Sequence, residues 1–506
     1  MKHPITCVIF AACMAASVSA CASNKPDDAG AQQQAAGASA PDVVPNKPQL
    51  LAVDQTGITA SQEFVTESDT VVIASKASSS TSPASGTPAS GSSASGPAPA
   101  PSAPASTSGI ALAGVQKAKE LKAPLLIDDG TNSDAINSEI SRLGADKVER
   151  VEGTDTLTVA QVLEGYQPTT DGTVVLVTNN TDVPSVLAAM AAGFKVELLP
   201  TGDPRASVDL MAKKDAAFYA VGADFGTEAS FNQRIDLAQA GPVPGAKTGL
   251  IFPGRRIVAL YGHPSGPALG LMGDQPPQEA VKRVNELVKQ YQAITPNTPT
   301  VPAFEVIATV ASSLPGGDGD YSNESTVEEL RPYVEAIGKA GGFAVLDLQP
   351  GHASFLSQAQ RYQELLELPY VGLALDPEWK IRPDEKPLGR VGNTTAAEIN
   401  EVSAWLAEFT RSKKLPQKLL IMHQFQVQMI QNREQLDINH PELCFVLHAD
   451  GHGNAHDKLA TWDRMREGLQ PGIFLAWKNF IDEDAPMFDP RQTLGVQPTP
   501  WFISYQ

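Results

Sequence analysis

Asp376 and Glu378 stand two residues apart at the end of an apolar run, VGLALDPEW (371–379). In an extended chain, residues i and i+2 project from the same face, so both carboxylates would point the same way. Two carboxylates crowded together cannot both ionise freely. One pKa rises, which leaves an acid beside a base or an electrostatic stabiliser. Cleavage of a glycosidic bond needs such a pair. The spacing predicts Glu378 as general acid and Asp376 as base or stabiliser. The structural alternative has Asp376 capping the following loop and Glu378 paired with a nearby Arg or Lys. Asp347 and Gln349 repeat the i, i+2 spacing in FAVLDLQ (343–349), and His423 and Gln424 close the run LLIMHQF (419–425). His263, Asp450 and Lys478 hold the same place in their own runs, with Trp379 and Trp477 beside them. These residues form a candidate substrate-binding set. An unpartnered buried polar group costs about 1–3 kcal/mol, so this many on one rim exceed what folding requires.

The elements that would hold these side chains together are eight apolar runs. They are RIVALYGH (256–263), FEVIATVA (304–311), FAVLDLQ, VGLALDPEW, LLIMHQF, CFVLHADG (444–451), IFLAWKNF (473–480) and PWFISYQ (500–506). Each is continuous rather than alternating, as in strands buried on both faces. Most gaps hold a helix-like stretch, such as PPQEAVKRVNELVKQYQ (276–292) or TAAEINEVSAWLAEFTRSKK (395–414). Eight βα units predict a (β/α)8 TIM-type barrel over 250–506, with its chemistry at the C-terminal strand ends. PWFISYQ is the expected eighth strand. Because the sequence given stops at Gln506, that side of the barrel is expected to be covered by the preceding domain or by SFNQRIDLAQAG (230–241).

Upstream, residues 1–20 read as a signal peptide: Lys2, an apolar run from Ile5 to Val18, then Val18-Ser19-Ala20-Cys21. The run is too short for a stable membrane span. The tetrad resembles a bacterial lipobox, which implies lipidation of Cys21 and a place on the outer face of a membrane. Residues 21–49 read as a disordered tether. An internal repeat then spans 50–245. SDTVVIASK (68–76) matches DGTVVLVTN (171–179), AGVQKAKELKAPLLIDD (113–129) matches PSVLAAMAAGFKVELLP (184–200), and SDAINSEISRLGADKVERVEG (133–153) matches DPRASVDLMAKKDAAFYAVG (203–222). Each copy reads strand–helix–strand–helix–strand, a Rossmann-like α/β unit. The Ser/Pro/Ala tract at 77–108 falls between the first strand and first helix of copy one, and is expected to be a disordered insertion within the domain.

Ala123-Pro124-Leu125-Leu126 and the Arg142–Gly153 segment, Arg-Leu-Gly-Ala…Val-Glu-Gly, resemble the cell-wall-binding repeat of Gram-positive surface proteins. The likeness covers about 50–225 and implies binding to a cell-envelope polymer. Leu-Asp-Leu-Gln-Pro-Gly, Ala-Leu-Asp-Pro-Glu-Trp, His-Gln-Phe and Ser-Tyr-Gln make the C-terminal half resemble a group of actinobacterial surface lipoproteins, a likeness that implies no reaction. Asp-x-Glu at the end of the fourth strand also resembles chitinase-like barrel glycosidases. There the Glu is the acid and the Asp orients the acetamido group of the sugar. Leu373, Ala374 and Leu375 stand where those enzymes carry further Asp residues.

His448, His452 and His456 recur every four residues in HADGHGNAH. On a helix they would form a zinc set. Gly451 and Gly453 favour a loop instead, so no metal and no cofactor is expected. All five tryptophans fall in 250–506; indole faces stack on sugars, which favours a carbohydrate, while Trp405 and Trp462 sit in helical patterns that suit packing. LPGGDGDYS (314–322), with Asp318 and Asp320, reads as a flexible lid and lacks the spacing of a calcium loop. A net charge of −19 excludes a nucleic-acid partner. Outside the signal only Cys21 and Cys444 remain, so there is no disulfide framework. The expected protein is a lipid-anchored surface lipoprotein whose glycoside-hydrolase-like barrel acts on or binds a cell-envelope glycan. A non-catalytic cell-wall-binding protein is the alternative, and a metal-dependent hydrolase or deacetylase the second.

Overall fold

In the first half of the chain, Thr70–Ser75 forms the middle of a three-stranded parallel sheet. Leu125–Asp128 lies on one side, with Leu125 opposite Val72, and Lys147–Glu152 on the other, with Lys147 opposite Thr70. The structure, a computed structural model, describes residues 37–41, 47–52, 54–75, 112–153, 155, 157–170, 172–213 and 218–506. The signal segment, Cys21 and the tract 77–108 lie outside the described residues. A second parallel sheet has Val174–Val177 at its centre, between Lys195–Leu198 and Phe218–Val221, with Gln49–Leu51 added at the edge. In both sheets the first strand of the segment is flanked by the two that follow it. The helix Val183–Ala191 is buried along its whole length. Its sequence, VPSVLAAMA, is small and apolar on every face, as a fully enclosed helix must be. It packs in a core that takes residues from both sheets, with Phe64 set edge-on to Phe194 and Tyr219.

The second half forms a closed barrel of eight parallel strands: β1 (Arg256–Gly262), β2 (Thr300–Ala311), β3 (Phe343–Leu348), β4 (Val371–Leu375), β5 (Lys418–His423), β6 (Leu443–Ala449), β7 (Phe474–Asn479) and β8 (Phe502–Tyr505). Closure is made by β8 on β1, where Phe502 lies opposite Ile257. Around it run α1 (Pro277–Ile294), α2 (Val327–Lys339), α3 (Phe355–Arg361), α4 (Gln363–Leu366), α5 (Ala396–Ser412), α6 (Ala455–Arg466) and α7 (Pro490–Gly495). Local signals start these helices where they do. Thr326 and Glu329 form a capping box at the head of α2, and Leu330, Tyr333, Val334 and Ile337 then recur on one buried face. Between β5 and β6 there is no α-helix among the described residues; the connection holds the short turns Val427–Met429 and Arg433–Gln435 and a two-residue strand, Ile430–Gln431, paired with Thr394–Thr395.

The period-2 alternation of strand side chains sorts each strand into an inward and an outward row. The lower inward rows, including Ile257, Ala259, Ala303, Val345, Ala374, Ile421, Val446 and Ala476, fill the barrel with small and branched apolar groups. One step further along each strand the inward residue is ionisable or polar. The outward rows meet the helices, as Leu260, Phe304, Leu346, Leu420, Leu447 and Trp477 do. The flank of β8 is covered by α1, whose Tyr291 hydroxyl lies 2.7 Å from that of Tyr505, and α7 packs on α1. This corrects the expectation that the preceding domain or 230–241 covers it. That domain meets the opposite end of the barrel. Arg205 Nη2 donates to the Pro441 carbonyl (2.7 Å), and Gln233, on the helix Glu228–Ala238, donates to Glu442 Oε1 (3.3 Å), both just ahead of β6. No helix of the described residues is long and apolar enough to cross a membrane.

Candidate functional site

At the C-terminal end of the barrel the inward rows converge on one polar cluster. Glu305 of β2, Asp347 of β3, His423 of β5 and His448 of β6 are each 0 % exposed. His423 Nε2 lies 3.0 Å from Glu305 Oε1, and His423 Nδ1 lies 2.8 Å from Asp450 Oδ2. His448 Nε2 lies 3.0 Å from Ser504 Oγ of β8, and its Nδ1 lies 3.5 Å from Glu305 Oε1. The Tyr261 hydroxyl of β1 donates to Asp347 Oδ2 (2.8 Å), and Gln349 Nε2 donates to the Tyr261 oxygen (3.3 Å). Lys478 Nζ of β7 sits 3.6 Å from the centre of the Tyr261 ring, a cation–π contact. Four buried atoms here have no hydrogen-bond partner: Glu305 Oε2, Asp347 Oδ1, His448 Nδ1 and Asp450 Oδ1. Native interiors leave few such groups.

Charge is distributed unevenly across the cluster. Burial works against an ionised Glu305, but the two histidines outweigh it and hold the carboxyl below the usual range. Burial likewise opposes the His423 imidazolium, while Glu305, Asp347 and Asp450 together raise its pKa well above the ordinary value. His448 is pushed down by burial. Asp450 is buried too, yet His423 holds it ionised, below the usual carboxylate range. Burial lifts Asp347 to about 6 and Asp376 well above its ordinary value. Glu378 rises to about 7, first through burial and then through the neighbouring Asp450 charge. The cluster and its rim therefore hold both an acid that keeps its proton near neutrality, Glu378, and a carboxylate that does not, Asp450.

The expected residues divide into those the cluster uses and those it does not. Asp347, His423 and Asp450 are in it, Gln349 braces Tyr261, and Lys478 points in from β7. Asp376 does not stand beside Glu378 as a free carboxylate. Its Oδ1 accepts from the Glu378 backbone N–H (3.1 Å) and caps the turn Pro377–Trp379, which is the first half of the capping alternative; the second half, Glu378 paired with an Arg or Lys, is not seen among the described residues. Glu378 is half-buried, and its carboxylate has no ion pair or hydrogen bond among the described residues. Gln424 turns outward. Its amide spans the β5–β6 connection, donating to the Gln426 and Val427 carbonyls and accepting from Arg433 (2.7 Å). Trp477 also faces out, against Trp462 and Phe488, because Lys478 takes the inward position beside it. Trp501 packs on Phe252 and Phe474, so of the strand-end tryptophans only Trp379, half-buried on the turn after β4, remains near the mouth. His263 ties the loop after β1, through Ser265 Oγ, to the segment just before α2, through Ser325 Oγ, each at 2.8 Å. His452 and His456 are exposed and do not join His448. The segment 314–322 is pinned rather than free: the Asp320 carbonyl accepts from His352 N–H (2.7 Å), and the Tyr321 and His352 rings pack 4.9 Å apart.

Glu305, Tyr261 and Ser504 were not expected. Glu305 had a signal, as the sole charge inside the apolar run FEVIATVA. Glu305, His423 and His448 each offer one ligand atom, and the three atoms lie within 4.8 Å of one another. No family model matches the chain, nor does any curated protein. Two solved structures of oxaloacetate acetylhydrolase are similar to it. The complex with the inhibitor 3,3-difluorooxalacetate has a TM-score of 0.32 and 12% identity, covering 51% of this chain and 77% of that one. The complex with the product oxalate has a TM-score of 0.28 and 10% identity, covering 50% and 75%. Likeness at this level says nothing about a reaction.

Proposed function

We propose that the barrel is an acid–base hydrolase of the glycoside-hydrolase type, acting on a cell-envelope glycan. The observation that carries the reading is the buried polar cluster at the C-terminal mouth, with the Asp347, Asp450 and Glu305 oxygens left without partners. Folding gains nothing from such groups, whereas a bound substrate gives them partners. Glu378 is the proton donor, protonated near neutrality and open to the mouth. Asp450, ionised, with Oδ1 free, is the base or charge stabiliser that Asp376 cannot be while burial keeps it protonated. Lys478 and Tyr261 position polar groups of the substrate. The two N-terminal sheets are Rossmann-like copies of one repeat that holds the envelope polymer, and a lipid on Cys21 keeps the protein on the outer membrane face. The lipobox-like tetrad and the internal repeat support these two assignments.

The test is hydrolysis of cell-wall glycan fragments by the mature chain across pH 4–9. The rate should fall as pH rises through about 7, where Glu378 loses its proton. Glu378→Gln should cut the rate by roughly 10²–10⁴, the usual worth of proton transfer, while fragment binding persists. Asp450→Asn should lower it comparably. Binding without turnover by the wild type would turn the reading into that of a glycan-binding protein, and full activity of Glu378→Gln would move the acid elsewhere.

A further inference from the structure

We propose that Glu305, His423 and His448 form a binding site for one divalent first-row transition ion, with Zn²⁺ the first choice. Three ligand atoms around a zinc ion, at bonds of about 2.1 Å, stand about 3.4 Å apart in a tetrahedral arrangement. Glu305 Oε1 lies 3.0 Å from His423 Nε2 and 3.5 Å from His448 Nδ1. The spacing therefore needs only small adjustment. The donor set, two imidazoles and one carboxylate, is a set used by hydrolytic zinc centres.

The second shell points the same way. A metal-bound histidine commonly fixes its other ring nitrogen on a carboxylate or another polar group, which sets tautomer and ring orientation. His423 does this through Nδ1 to Asp450 Oδ2 (2.8 Å) and His448 through Nε2 to Ser504 Oγ (3.0 Å). Each imidazole thus turns its remaining nitrogen toward Glu305. Independently, His448 Nδ1 and Glu305 Oε2 are fully buried without a hydrogen-bond partner, and so is Asp347 Oδ1, 3.9 Å from His423 Nε2 and available as a fourth ligand. The three ligands come from strands β2, β5 and β6, and β5 and β6 are paired with His423 directly opposite His448. The register of the barrel, not a local sequence motif, makes the set, which is why the spaced trio His448, His452 and His456 pointed to the wrong partners.

The metal site shares Glu305, Asp347 and Asp450 with the proposed hydrolase, so its test reads metal binding, not glycan turnover. Mature chain stripped with a chelator is titrated with Zn²⁺ and with Co²⁺. The expected result is one ion per chain, a visible Co²⁺ absorption band of a four- or five-coordinate site, and X-ray absorption on the wild-type Zn²⁺ form showing two imidazoles. His448→Gln and Glu305→Gln should each weaken binding at least 100-fold, and Asp450→Asn about 10–100-fold through His423. Asp318→Asn with Asp320→Asn, in the exposed acidic loop, should leave the stoichiometry at one. Glu378→Gln should bind zinc like the wild type even if it is catalytically dead, which separates this inference from the hydrolase. Absence of stoichiometric binding, or X-ray absorption without imidazole ligands, would overturn it without reference to any variant that fails to fold.

Discussion

Lys418 shows at the scale of one residue how far burial can move a charge in this barrel. It opens β5 on the outward row, and its ammonium donates to the Leu368 and Val371 carbonyls, each at 3.0 Å. Burial pushes its pKa down to about 7. The unfolded chain holds that proton up to about 10.4. Between those values the unfolded state binds more protons than the folded one, so this residue makes stability rise with pH. The slope is at most ~1.4 kcal/mol per pH unit. In Lys418→Met that contribution is gone. Urea unfolding at pH 7, 8.5 and 10 should show the wild type gaining on the variant at each step, and parallel curves would mean that Lys418 stays protonated through its two carbonyls. The cluster at the mouth obeys the same rule with the opposite outcome. There, buried charges stand within reach of one another, so His423 and Asp450 keep theirs.

Strands explain both what could be read from the sequence and what could not. All eight were legible because a strand buried on both faces is a continuous apolar run, and the polar cluster was legible in part as the place where those runs turn polar. Facing was not legible. A continuous run carries no alternation to say which of two adjacent residues points inward, so Lys478 and His423 could not be told from their neighbours Trp477 and Gln424. Glu305 was missed for a different reason. β2 runs on past the mouth to Ala311 and is met there by the antiparallel segment Ser322–Glu324, so its polar inward residue lies mid-strand and not at the end. Close strand contact also yields a prediction. A Cβ on Gly372 of β4 would lie 2.6 Å from the Leu419 carbonyl oxygen and 2.8 Å from Leu419 Cβ on β5. Gly372→Ala must then push β4 from β5, and overpacking of this kind costs roughly 1–3 kcal/mol. Gly495→Ala, in α7, where a Cβ meets nothing within 4 Å, is the control and should unfold with the wild type or slightly above it, since Ala suits a helix better than Gly. If the two variants melt together, the barrel wall is more pliant at β4 than this contact implies.

At the scale of the molecule, the position of Thr70–Ser75 links the chain before 77–108 to everything after it. As the central strand of its sheet it pairs with both Leu125–Asp128 and Lys147–Glu152, and Val71, Val72 and Ile73 are buried in the shared core. A cut within 77–108 would leave those pairings intact, since the three paired strands, at 70–75, 125–128 and 147–152, lie outside that tract. The downstream part of the domain in turn grips the barrel through Arg205, held by Asp203 at 2.7 Å, and the Pro441 carbonyl. With a lipid on Cys21, the anchor would hold the barrel through non-covalent contacts alone once the tract is cleaved. Membranes bearing the full-length protein, treated with an elastase that cuts after small residues, should show two fragments on a denaturing gel. Both fragments should stay in the membrane pellet until urea releases the larger one. Cys21→Ser should leave both fragments in the supernatant, still associated. Release of the large fragment under native conditions would show that the Thr70–Ser75 strand does not hold the halves together, and a Cys21→Ser protein that still pellets would place the anchor elsewhere.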